Sequence, residues 1–578
     1  MRLRVIATDY DGTIAIDGVL DPAIREAIAL ARQRGVLVVI VTGRIYSELR
    51  NVAGCLDFVD GVVAENGAVA ALPNGHVTVF GASPPLSLIT KLSERCIDFK
   101  VGRCVIEMDA DFADVAIALI REMELPLTIS FNRSRMMLLP PSISKASGLR
   151  HLLDTFNVSI HNAIGIGDAE NDHELLTCCE HGVAVSWGSA RLRESADFVL
   201  EGNGPAAVAG YIERVSSEIR LPSETSTYRK VVLEEIEGKA PFQISIRAHN
   251  VLIAGDTKSG KSWLAGLLAE QQILKGYTVY VFDPEGDYSS LATLPNTLVL
   301  GGSRMLPEGD DLRLLLQQGL SVVLNLSNLE HYQKSAYIGQ HLPLVAQHRR
   351  EQGFPHRIFL DECHYFLSGS LGRQILDFQL DGYTLVTYRP SQLAREVLTS
   401  IDVFAVTRLT DHAEVDVLRD LLDDKSEEYI DSHDWYDQLA NLGITEAALL
   451  PPTREAGGRL RRFVVAPRLT KHVRHRTKYF DVPVSTGRRF VFTDCGHPTG
   501  ESAATLRELG EATRRVKAAV LINHSQRHDF SHWVADLFCD RDLANDIRKL
   551  ESTMNHNGDV DSFVKGFCEV VKKRYQST

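Results

Sequence analysis

A glycine-rich octapeptide near the middle of this chain constrains its fold more than any other stretch. The segment GDTKSGKS follows the apolar run Asn250–Ala254, which predicts a buried strand, and precedes SWLAGLLAEQQILK, which predicts a helix. Glycines at such a turn let backbone N–H groups point at phosphate oxygens, while the lysine reaches the β- and γ-phosphates and the last serine ligates Mg²⁺. The predicted cradle for a nucleotide consists of Gly255, Asp256, Thr257, Lys258, Ser259, Gly260, Lys261 and Ser262.

Length and composition bound the number and class of domains. A chain of 578 residues is too long for one hydrophobic core and predicts about three or four domains. Its 44% hydrophobic and 24% charged residues, without a run of 18 apolar residues, are typical of a soluble globular protein and argue against membrane association. The start shows no signal peptide and the nine cysteines form no Cys-x-x-Cys pair, so we expect a cytoplasmic protein without a disulfide framework or zinc site. A net charge of −13 argues against a surface that coats nucleic acid throughout.

Four motifs in the first 218 residues stand where predicted strands end or a helix begins. Open α/β sheets carry their chemistry at such strand ends. Covalent phosphoryl transfer needs a carboxylate nucleophile together with cations that neutralise the transferring oxygens. The motifs are Asp9-Tyr-Asp11-Gly-Thr13, Thr42-Gly-Arg44, Lys145, and Gly165-Ile-Gly-Asp168-Ala-Glu-Asn171-Asp172.

The residue types predict a role for each motif. Asp9 is the expected nucleophile, and Asp11 is the expected acid that protonates the leaving group and later activates water. Thr42 can donate its hydroxyl to the phosphate, and Lys145 supplies a fixed positive charge. Mg²⁺ prefers hard oxygen ligands. For Asp172 taken alone, a capping or loop role is an equal alternative. The predicted metal ligands are Asp9, Asp11, Asp168 and Asp172.

This set of motifs resembles the haloacid dehalogenase (HAD) phosphatase superfamily over about residues 1–215. The segment Glu65-Asn-Gly67 stands where one subfamily carries the same tripeptide before its cap domain, which would here span about residues 84–140. The resemblance implies a Rossmann-like α/β core with a small α/β cap. It also implies a Mg²⁺-dependent phosphatase for a small phosphomonoester, similar to short-capped phosphoglycolate and sugar-phosphate phosphatases.

Two later strand ends carry acidic residues suited to ATP hydrolysis. The strand that ends at Phe282 is followed by DPEGDY, and Arg357–Leu360 is followed by Asp361 and Glu362. Asp361 is placed to hold a metal through water, and Glu362 to activate the attacking water. With VTYRPSQL and VTRLTD further on, the order of motifs resembles the HerA/FtsK-like ATPases over about residues 245–425. That resemblance implies a RecA-like fold and a ring, typically of six subunits, that moves DNA or another polymer.

The same resemblance raises two questions about the ATPase site. Tyr388 stands where the family usually has glutamine, a residue that senses the γ-phosphate. Rings of this kind complete each site with an arginine from a neighbouring subunit. The candidates are Arg349, Arg350, Arg389 and Arg408, of which Arg389 and Arg408 lie beside strand ends and are preferred.

The end of the chain predicts a small, mainly helical module. Residues 468–478 are strongly basic and either form a solvated linker or contact the phosphates of a nucleic acid. Glu501–Ile522 reads as one amphipathic helix. Histidines 524, 528 and 532 are spaced by four and could share a helix face that binds a metal, although capping or packing roles are preferred. The expected domains are therefore a phosphatase at 1–218, an ATPase at 219–470 and this module at 471–578.

Three functions are compatible with these features. The preferred one is a phosphatase fused to a ring-forming ATPase that organises or gates it, with ATP, Mg²⁺ and a small phosphorylated metabolite as ligands. The first alternative is a nucleic-acid motor with an accessory phosphatase that trims phosphates. The second is an end-repair enzyme that pairs a kinase with a phosphatase, against which Asp361-Glu362 after a strand argues, because this pair suits water activation.

Overall fold

A computed structural model of the chain describes residues 1–222, 229–246, 249–367, 375–377, 381–425, 435–451, 459–471, 489–494, 496–538 and 541–575. We call residues 1–222 the first body, 229–471 the second body and 489–575 the third body. None of the helices in the described ranges combines the length and hydropathy that crossing a membrane requires.

The first body is built on a mostly parallel sheet with the order β14-β13-β12-β1-β4-β5-β6-β7. Its central strands are continuous apolar runs and nearly all their residues are buried, as expected for parallel strands covered on both faces. The strands are β1 (Val5–Thr8), β2 (Ala15–Ile16), β3 (Val19–Leu20), β4 (Leu37–Val41), β5 (Gly61–Ala64), β6 (Val69–Ala71), β7 (Val77–Val79), β8 (Phe99–Val101), β9 (Ile106–Asp109), β10 (Thr128–Asn132), β11 (Arg135–Leu139), β12 (Ala163–Gly167), β13 (His181–Val185) and β14 (Phe198–Leu200). The helices are α1 (Pro22–Gln33), α2 (Tyr46–Ala53), α3 (Leu86–Glu94), α4 (Ala113–Glu122), α5 (Lys145–Thr155), α6 (His173–Cys178), α7 (Ala190–Ser195) and α8 (Gly204–Glu218).

A second sheet is inserted between β7 and α5. It is antiparallel, with the order β10-β11-β9-β8, and α3 and α4 pack on it through a separate hydrophobic core that includes Leu88, Leu119 and Met136. These elements span 86–139, inside the range of 84–140 expected for a cap.

The second body contains a nine-stranded sheet with the order β19-β20-β18-β21-β22-β17-β23-β24-β25, in which only the last two strands are antiparallel to their neighbours. The separate hairpin of β15 and β16 packs on the same apolar core. The strands are β15 (Val231–Glu234), β16 (Phe242–Ile244), β17 (Val251–Ala254), β18 (Val279–Asp283), β19 (Thr297–Gly301), β20 (Ser321–Asn325), β21 (Arg357–Leu360), β22 (Tyr383–Thr387), β23 (Val403–Val406), β24 (Glu446–Leu450) and β25 (Arg461–Val464). The helices are α9 (Lys261–Leu274), α10 (Gly309–Gln317), α11 (His331–Gln352), α12 (Arg395–Thr399), α13 (His412–Lys425) and α14 (Trp435–Ala440).

The third body is a hairpin covered by helices, and it corrects one expectation. The prediction of one helix over Glu501–Ile522 is wrong, because Ser502 and Ala503 pair with the hairpin's first strand and the Thr505 side chain then caps a new helix. Cross-strand pairing thus overrides the helical periodicity of this stretch. The elements are β26 (Phe490–Asp494), β27 (His497–Ala503), α15 (Leu506–Ala512), α16 (Ala518–Gln526), α17 (Asp529–Phe538), α18 (Arg541–Asn557) and α19 (Val560–Tyr575).

The three spaced histidines of this body do not share a helix face. α16 ends at Gln526 and α17 begins at Asp529, with His528 between them in the left-handed region at φ 58°. His524 Nδ1 lies 2.6 Å from the Asp529 carboxylate, while His528 Nδ1 lies 3.2 Å from Glu551. His524 and His528 therefore pair with carboxylates inside the module, in line with the preferred packing role, whereas His532 is exposed.

The first and second bodies contact each other through buried polar groups. Glu180, which is fully buried, lies between α6 and β13 and accepts hydrogen bonds from Arg229 Nη1 at 2.7 Å and Tyr277 Oη at 3.0 Å, both in the second body. Asn162 Nδ2 in the first body donates to the carbonyl of Gly353 at 3.2 Å. Charge-assisted hydrogen bonds in a buried setting fix the relative positions of the groups they join. We call this set of contacts between the two bodies the seam.

The basic stretch at 468–478 is only partly described. The Arg468 side chain is buried, with its guanidinium over the Trp263 ring of α9, so this side chain belongs to the packing of the second body. Residues 472–478 lie outside the described ranges.

Candidate active sites

The first site forms where β1 and β12 end side by side. Asp9 follows β1, Asp168 follows β12, and Asp172 lies one turn further on; all three side chains are buried. Each offers a carboxylate oxygen within 4.8 Å of the others. Lys145, the first residue of α5 and 1% exposed, joins them, with its Nζ 2.5 Å from Asp9 Oδ1 and 2.6 Å from Asp172 Oδ1. The structure thus brings together residues separated by up to 163 positions, and Thr13 Oγ1 adds a bond of 3.3 Å to Asp168.

Burial and mutual repulsion shape the protonation of this cluster. Burial, reinforced by Asp172 and Asp168, raises the pKa of Asp9 well above its usual value in spite of the attraction of Lys145. Burial and Asp172 likewise raise the pKa of Asp168 to about 6. Burial lowers the pKa of Lys145, but its two carboxylate partners outweigh that effect and raise it. Three buried carboxylates and a single buried lysine leave an excess of negative charge, which a divalent cation with hard oxygen ligands would neutralise.

Asp11 lies outside this carboxylate group. Arg44, which follows β4, holds it in a two-point ion pair, with Nε 2.5 Å and Nη2 2.6 Å from the two carboxylate oxygens. The carboxylate predicted both as a metal ligand and as the general acid is thus turned towards Arg44. Thr42 is buried at the end of β4, the neighbour of β1, and its Oγ1 accepts the Arg44 N–H at 3.1 Å.

The cap places an arginine that sequence reasoning missed at this site. Arg133, at the β10–β11 turn with φ 54°, contacts the Asp168 carboxylate through Nη2, and its backbone N–H lies 3.4 Å from Glu170. Asn66, from the Glu65-Asn-Gly67 segment, donates to the cap residue Ser130 at 3.4 Å. The only sequence signal was a polar Asn-Arg pair between two apolar runs, which predicts a turn and no function.

The second site is the glycine-rich turn between β17 and α9. Gly255 and Gly260 adopt φ of 152° and 105°, and a Cβ on Gly260 would lie 2.7 Å from the Ile444 carbonyl. Only glycine suits these positions. The Lys261 ammonium folds back to the Asp256 carbonyl at 2.7 Å, where it closes the turn. Lys258, at φ 60°, lies on the exposed side of the same turn.

Neighbouring strands hold this turn from the side. The Asp256 N–H donates to the Arg408 carbonyl at 2.7 Å, and its carboxylate accepts the Thr410 hydroxyl at 2.8 Å. The Ser259 hydroxyl lies 2.6 Å from that of Thr407, and Thr257 is buried beside it. The cradle is therefore anchored on the loop after β23.

Acidic side chains line the carboxyl edge of the sheet next to the turn. Ser262 Oγ donates to the carboxylate of Asp287 at 2.8 Å, a residue whose sequence context indicates no particular role. Asp361 and Glu362 follow β21 and are both fully buried. Glu362 takes the left-handed backbone at φ 46°, which costs a non-glycine residue about 1–3 kcal/mol and is typical of functional sites. A hydroxyl and carboxylates converging beside a phosphate cradle fit a hydrated Mg²⁺ ion and its attacking water.

Asp283 fixes the turn that carries Asp287. Its carboxylate accepts the successive backbone N–H groups of residues 285–288 at 2.7–3.3 Å. Burial nevertheless raises the pKa of Asp283 to about 7, with Asp287 adding to the effect.

The arginine candidates differ sharply in their surroundings. Arg389 is 4% exposed and bonds to Asp411 at 3.0 Å, Glu414 at 3.4 Å and the Asp536 carbonyl of the third body at 2.8 Å. Arg349 is buried, and Arg350 pairs with Asp377. Arg408 has an exposed side chain on the loop that anchors the cradle. The Tyr388 ring centroid lies 5.9 Å from Lys261 Nζ and 5.6 Å from the Arg389 guanidinium, and the side chain packs against the core of the third body.

Comparisons with known proteins match parts of the first and second bodies to two families. The family profile of haloacid dehalogenase-like hydrolases matches residues 6–109 and 100–212, and that of the central domain of helicase HerA matches 237–351. The phosphoglycolate phosphatase of Methanothermobacter thermautotrophicus is 30% identical over 222 residues, covering 37% of this chain and 98% of the relative. That of Methanosarcina acetivorans is 27% identical over 229 residues, covering 37% and 98%.

Solved structures also match part of the chain. A haloacid dehalogenase-like hydrolase from Bacteroides thetaiotaomicron has 17% sequence identity and a TM-score of 0.34, covering 37% of this chain and 100% of that one. On the strength of the curated relatives, this chain is a hydrolase that belongs to the haloacid dehalogenase-like family and carries, fused behind that region, a HerA-type ATPase domain.

Proposed function

We propose that the first body hydrolyses a small phosphomonoester through a covalent aspartyl-phosphate on Asp9, with Mg²⁺ as the required ion. The observation that supports this most strongly is the convergence of Asp9, Lys145, Asp168 and Asp172 at one sheet edge. A Mg²⁺ ion held by the three carboxylates would neutralise charge on the transferring oxygens.

The residues of this chain then divide the two steps between them. An Asp9 carboxylate oxygen forms a bond to phosphorus while the bond to the leaving oxygen breaks, and Asp11 delivers the proton that this oxygen needs. In the second step Asp11 takes a proton from water, whose oxygen attacks phosphorus and frees Asp9 and inorganic phosphate. Lys145 orients Asp9 and offsets its charge. Asp11 must exchange its contact with Arg44 for the substrate oxygen, so we infer that substrate binding rearranges this ion pair.

The curated relatives guide the choice of substrate. Because the matched relatives are named phosphoglycolate phosphatases, we propose a small phosphate ester with a carboxylate close to the phosphate. Arg133 on the cap provides a cation suited to that carboxylate once Mg²⁺ engages Asp168. The test compares kcat/KM for 2-phosphoglycolate and for hexose phosphates with Mg²⁺, in the natural chain and in Arg133→Gln. Equal values for all substrates in the natural chain would contradict this choice.

The second body is proposed to bind and hydrolyse ATP within a ring. Lys261 and the glycine turn grip the phosphates, Ser262 and Asp361 hold Mg²⁺ directly or through water, and Glu362 activates water. Arg389 is occupied by two carboxylates, so we favour the exposed Arg408 as the arginine given to the next subunit. Mixing Arg408→Ala with Lys261→Ala subunits tests this, because a mixed ring contains intact composite sites only if Arg408 acts across the boundary. The mixture should regain ATPase activity that neither variant has alone, and no regain would exclude Arg408.

The seam supports the proposal that the ring gates the phosphatase. The buried hydrogen bonds that Arg229 and Tyr277 donate to Glu180 would transmit a movement of the second body to the first. Coupling in binding is reciprocal. If nucleotide changes the affinity for the phosphatase substrate, the substrate must change the affinity for nucleotide by the same factor. Phosphatase kinetics with and without a non-hydrolysable ATP analogue, in the intact chain and in a chain truncated after Val215, test this. Identical constants in all four conditions would mean that the fusion only co-localises two enzymes.

A nucleic-acid motor is a second candidate, favoured by the match to the central domain of helicase HerA. In that case duplex or single-stranded DNA should raise the ATPase rate several-fold at low salt, and the effect should fall steeply as salt is added. If the ATPase rate does not respond to DNA, gating of the phosphatase remains the preferred role of the ATPase.

A further inference from the structure

The first and second bodies enclose an open cavity of about 240 Å³ beside the seam. Neither proposed active site uses it. Cationic side chains come to it from both bodies and outnumber the acidic ones. Its charged lining residues are Arg2, Arg220, Arg349, Arg350, Glu218 and Asp381.

Arg349 is the most buried of these cations. It lies in the last turn of α11, is 3% exposed, and stacks its guanidinium 5.5 Å from the centre of the Tyr383 ring. Its Nη1 has no hydrogen-bond partner among the described residues. A buried cation with an unsatisfied donor costs folding free energy unless an anion joins it. The cavity that Arg349 lines is the place from which such an anion can come.

The local balance of charge points the same way. Arg350 is already paired with Asp377, which leaves Glu218 and Asp381 as the carboxylates that line the cavity. Burial and the positive charge of Arg349 lower the pKa of Arg357 to about 9. Burial also lowers the pKa of Arg4, and the charge of Arg2 adds to that effect. Burial is the larger cause of both shifts, and it also lowers the pKa of Arg349 although Asp381 and Asp377 oppose it. Several arginines are therefore held close together in a buried setting at this end of the seam.

We propose that this cavity is a binding site for a phosphate-class anion, held by Arg2 and Arg220 from the first body and by Arg349 from the second. Guanidinium groups bind phosphate through paired, charge-assisted hydrogen bonds, and the volume suits a free phosphate or the phosphate end of a small metabolite. A ligand that touches both bodies stabilises their contact. If the proposed function holds, inorganic phosphate is released by both reactions and is the simplest occupant.

Binding of inorganic phosphate to the full-length chain tests this. The titration uses Lys261→Ala in EDTA, at constant ionic strength, so that neither the nucleotide cradle nor a metal-loaded phosphatase site contributes. We expect one phosphate per chain by calorimetry. The double variant Arg2→Gln/Arg220→Gln in the same background should weaken binding by about tenfold or more, since it removes charged hydrogen bonds. The matched control is Arg313→Gln, an exposed arginine of α10, which should leave the affinity unchanged.

Titrations with 2-phosphoglycolate and with ADP distinguish free phosphate from organic phosphates, because the true occupant should bind most tightly and lose most affinity in the double variant. Arg349→Gln should also weaken phosphate binding by about tenfold or more. If the buried glutamine prevents folding, the Arg2→Gln/Arg220→Gln variant at the cavity edge still tests the proposal. Affinities within twofold of each other in the double variant and the control, for all three ligands, would overturn the proposal. None of these measurements depends on turnover, so their failure would not bear on the proposed hydrolytic functions.

Discussion

Replacing Glu180 by glutamine should loosen the contact between the first and second bodies without touching either proposed active site. Glu180 is fully buried, and its Oε2 lies 2.7 Å from Arg229 Nη1 and 2.9 Å from His161 Nδ1. Burial lowers the pKa of Arg229, but the charge of Glu180, helped by Tyr277 and Asp197, raises it overall. The substitution keeps the shape of the side chain and removes this charge.

The expected loss of stability follows from removing the negative charge that faces the buried Arg229 guanidinium. The Arg229 side chain is 9% exposed, and loss of one partner of a buried ion pair costs about 3–5 kcal/mol. The glutamine can keep part of the hydrogen bonding, so we expect about 3 kcal/mol. For a unit of 150–250 residues this corresponds to a melting temperature lowered by about 6–12 °C.

Calorimetry of the full-length chain measures this shift, with Glu174→Gln as the matched control because Glu174 is exposed on the adjacent helix α6. Phosphatase turnover of the variant at 25 °C should stay near that of the natural chain, while any effect of an ATP analogue on it should shrink. A melting temperature within about 2 °C of the control would refute the reasoning, since the seam would then contribute no more than a surface ion pair.

The remaining predictions concern the two active sites. Asp9→Asn should abolish hydrolysis of a generic aryl phosphate and leave ATP hydrolysis intact; near-normal phosphatase activity would remove Asp9 from the mechanism. Lys261→Ala should lose both ATP binding and hydrolysis, whereas Glu362→Gln should lose hydrolysis by a factor of about 100 or more and still bind ATP; equal loss of nucleotide affinity would mean that Glu362 does not act on water. The Mg²⁺ concentration for half-maximal phosphatase activity should rise as pH falls below about 6, because the raised pKa of Asp168 leaves that ligand protonated there, and a requirement independent of pH between 5 and 7 would contradict this. Sedimentation at micromolar concentration should show a ring, and monomers with undiminished ATPase activity on dilution would rule out a shared site.

The sequence could predict what is encoded within a few neighbouring residues. The turn at Gly255–Gly260 requires backbone angles that only glycine tolerates, and the acidic residues after β1, β12 and β21 follow apolar runs that could only be buried strands. In a parallel sheet such strand ends meet at one edge, so the carboxylates after β1 and β12 converge in the first body, and those after β18 and β21 converge in the second.

Pairings between distant parts of the chain could not be predicted in this way. Nothing near Asp11 in sequence shows that Arg44 holds it, and nothing near Asp168 shows that the cap brings Arg133 onto it. The single helix predicted over Glu501–Ile522 failed for the same reason, since Ala503 found a strand partner elsewhere.

Tertiary structure also decided which of several equivalent residues were available. Arg389 and Arg408 looked alike as candidates beside strand ends, but only the fold buries Arg389 against Asp411 and leaves Arg408 exposed. In the same way, only the packing of the two bodies sets Glu180 against Arg229 and gathers arginines around an open cavity. Local sequence fixes backbone geometry and residue chemistry, whereas the burial and partners of a charge depend on surfaces that meet only when the whole chain has folded.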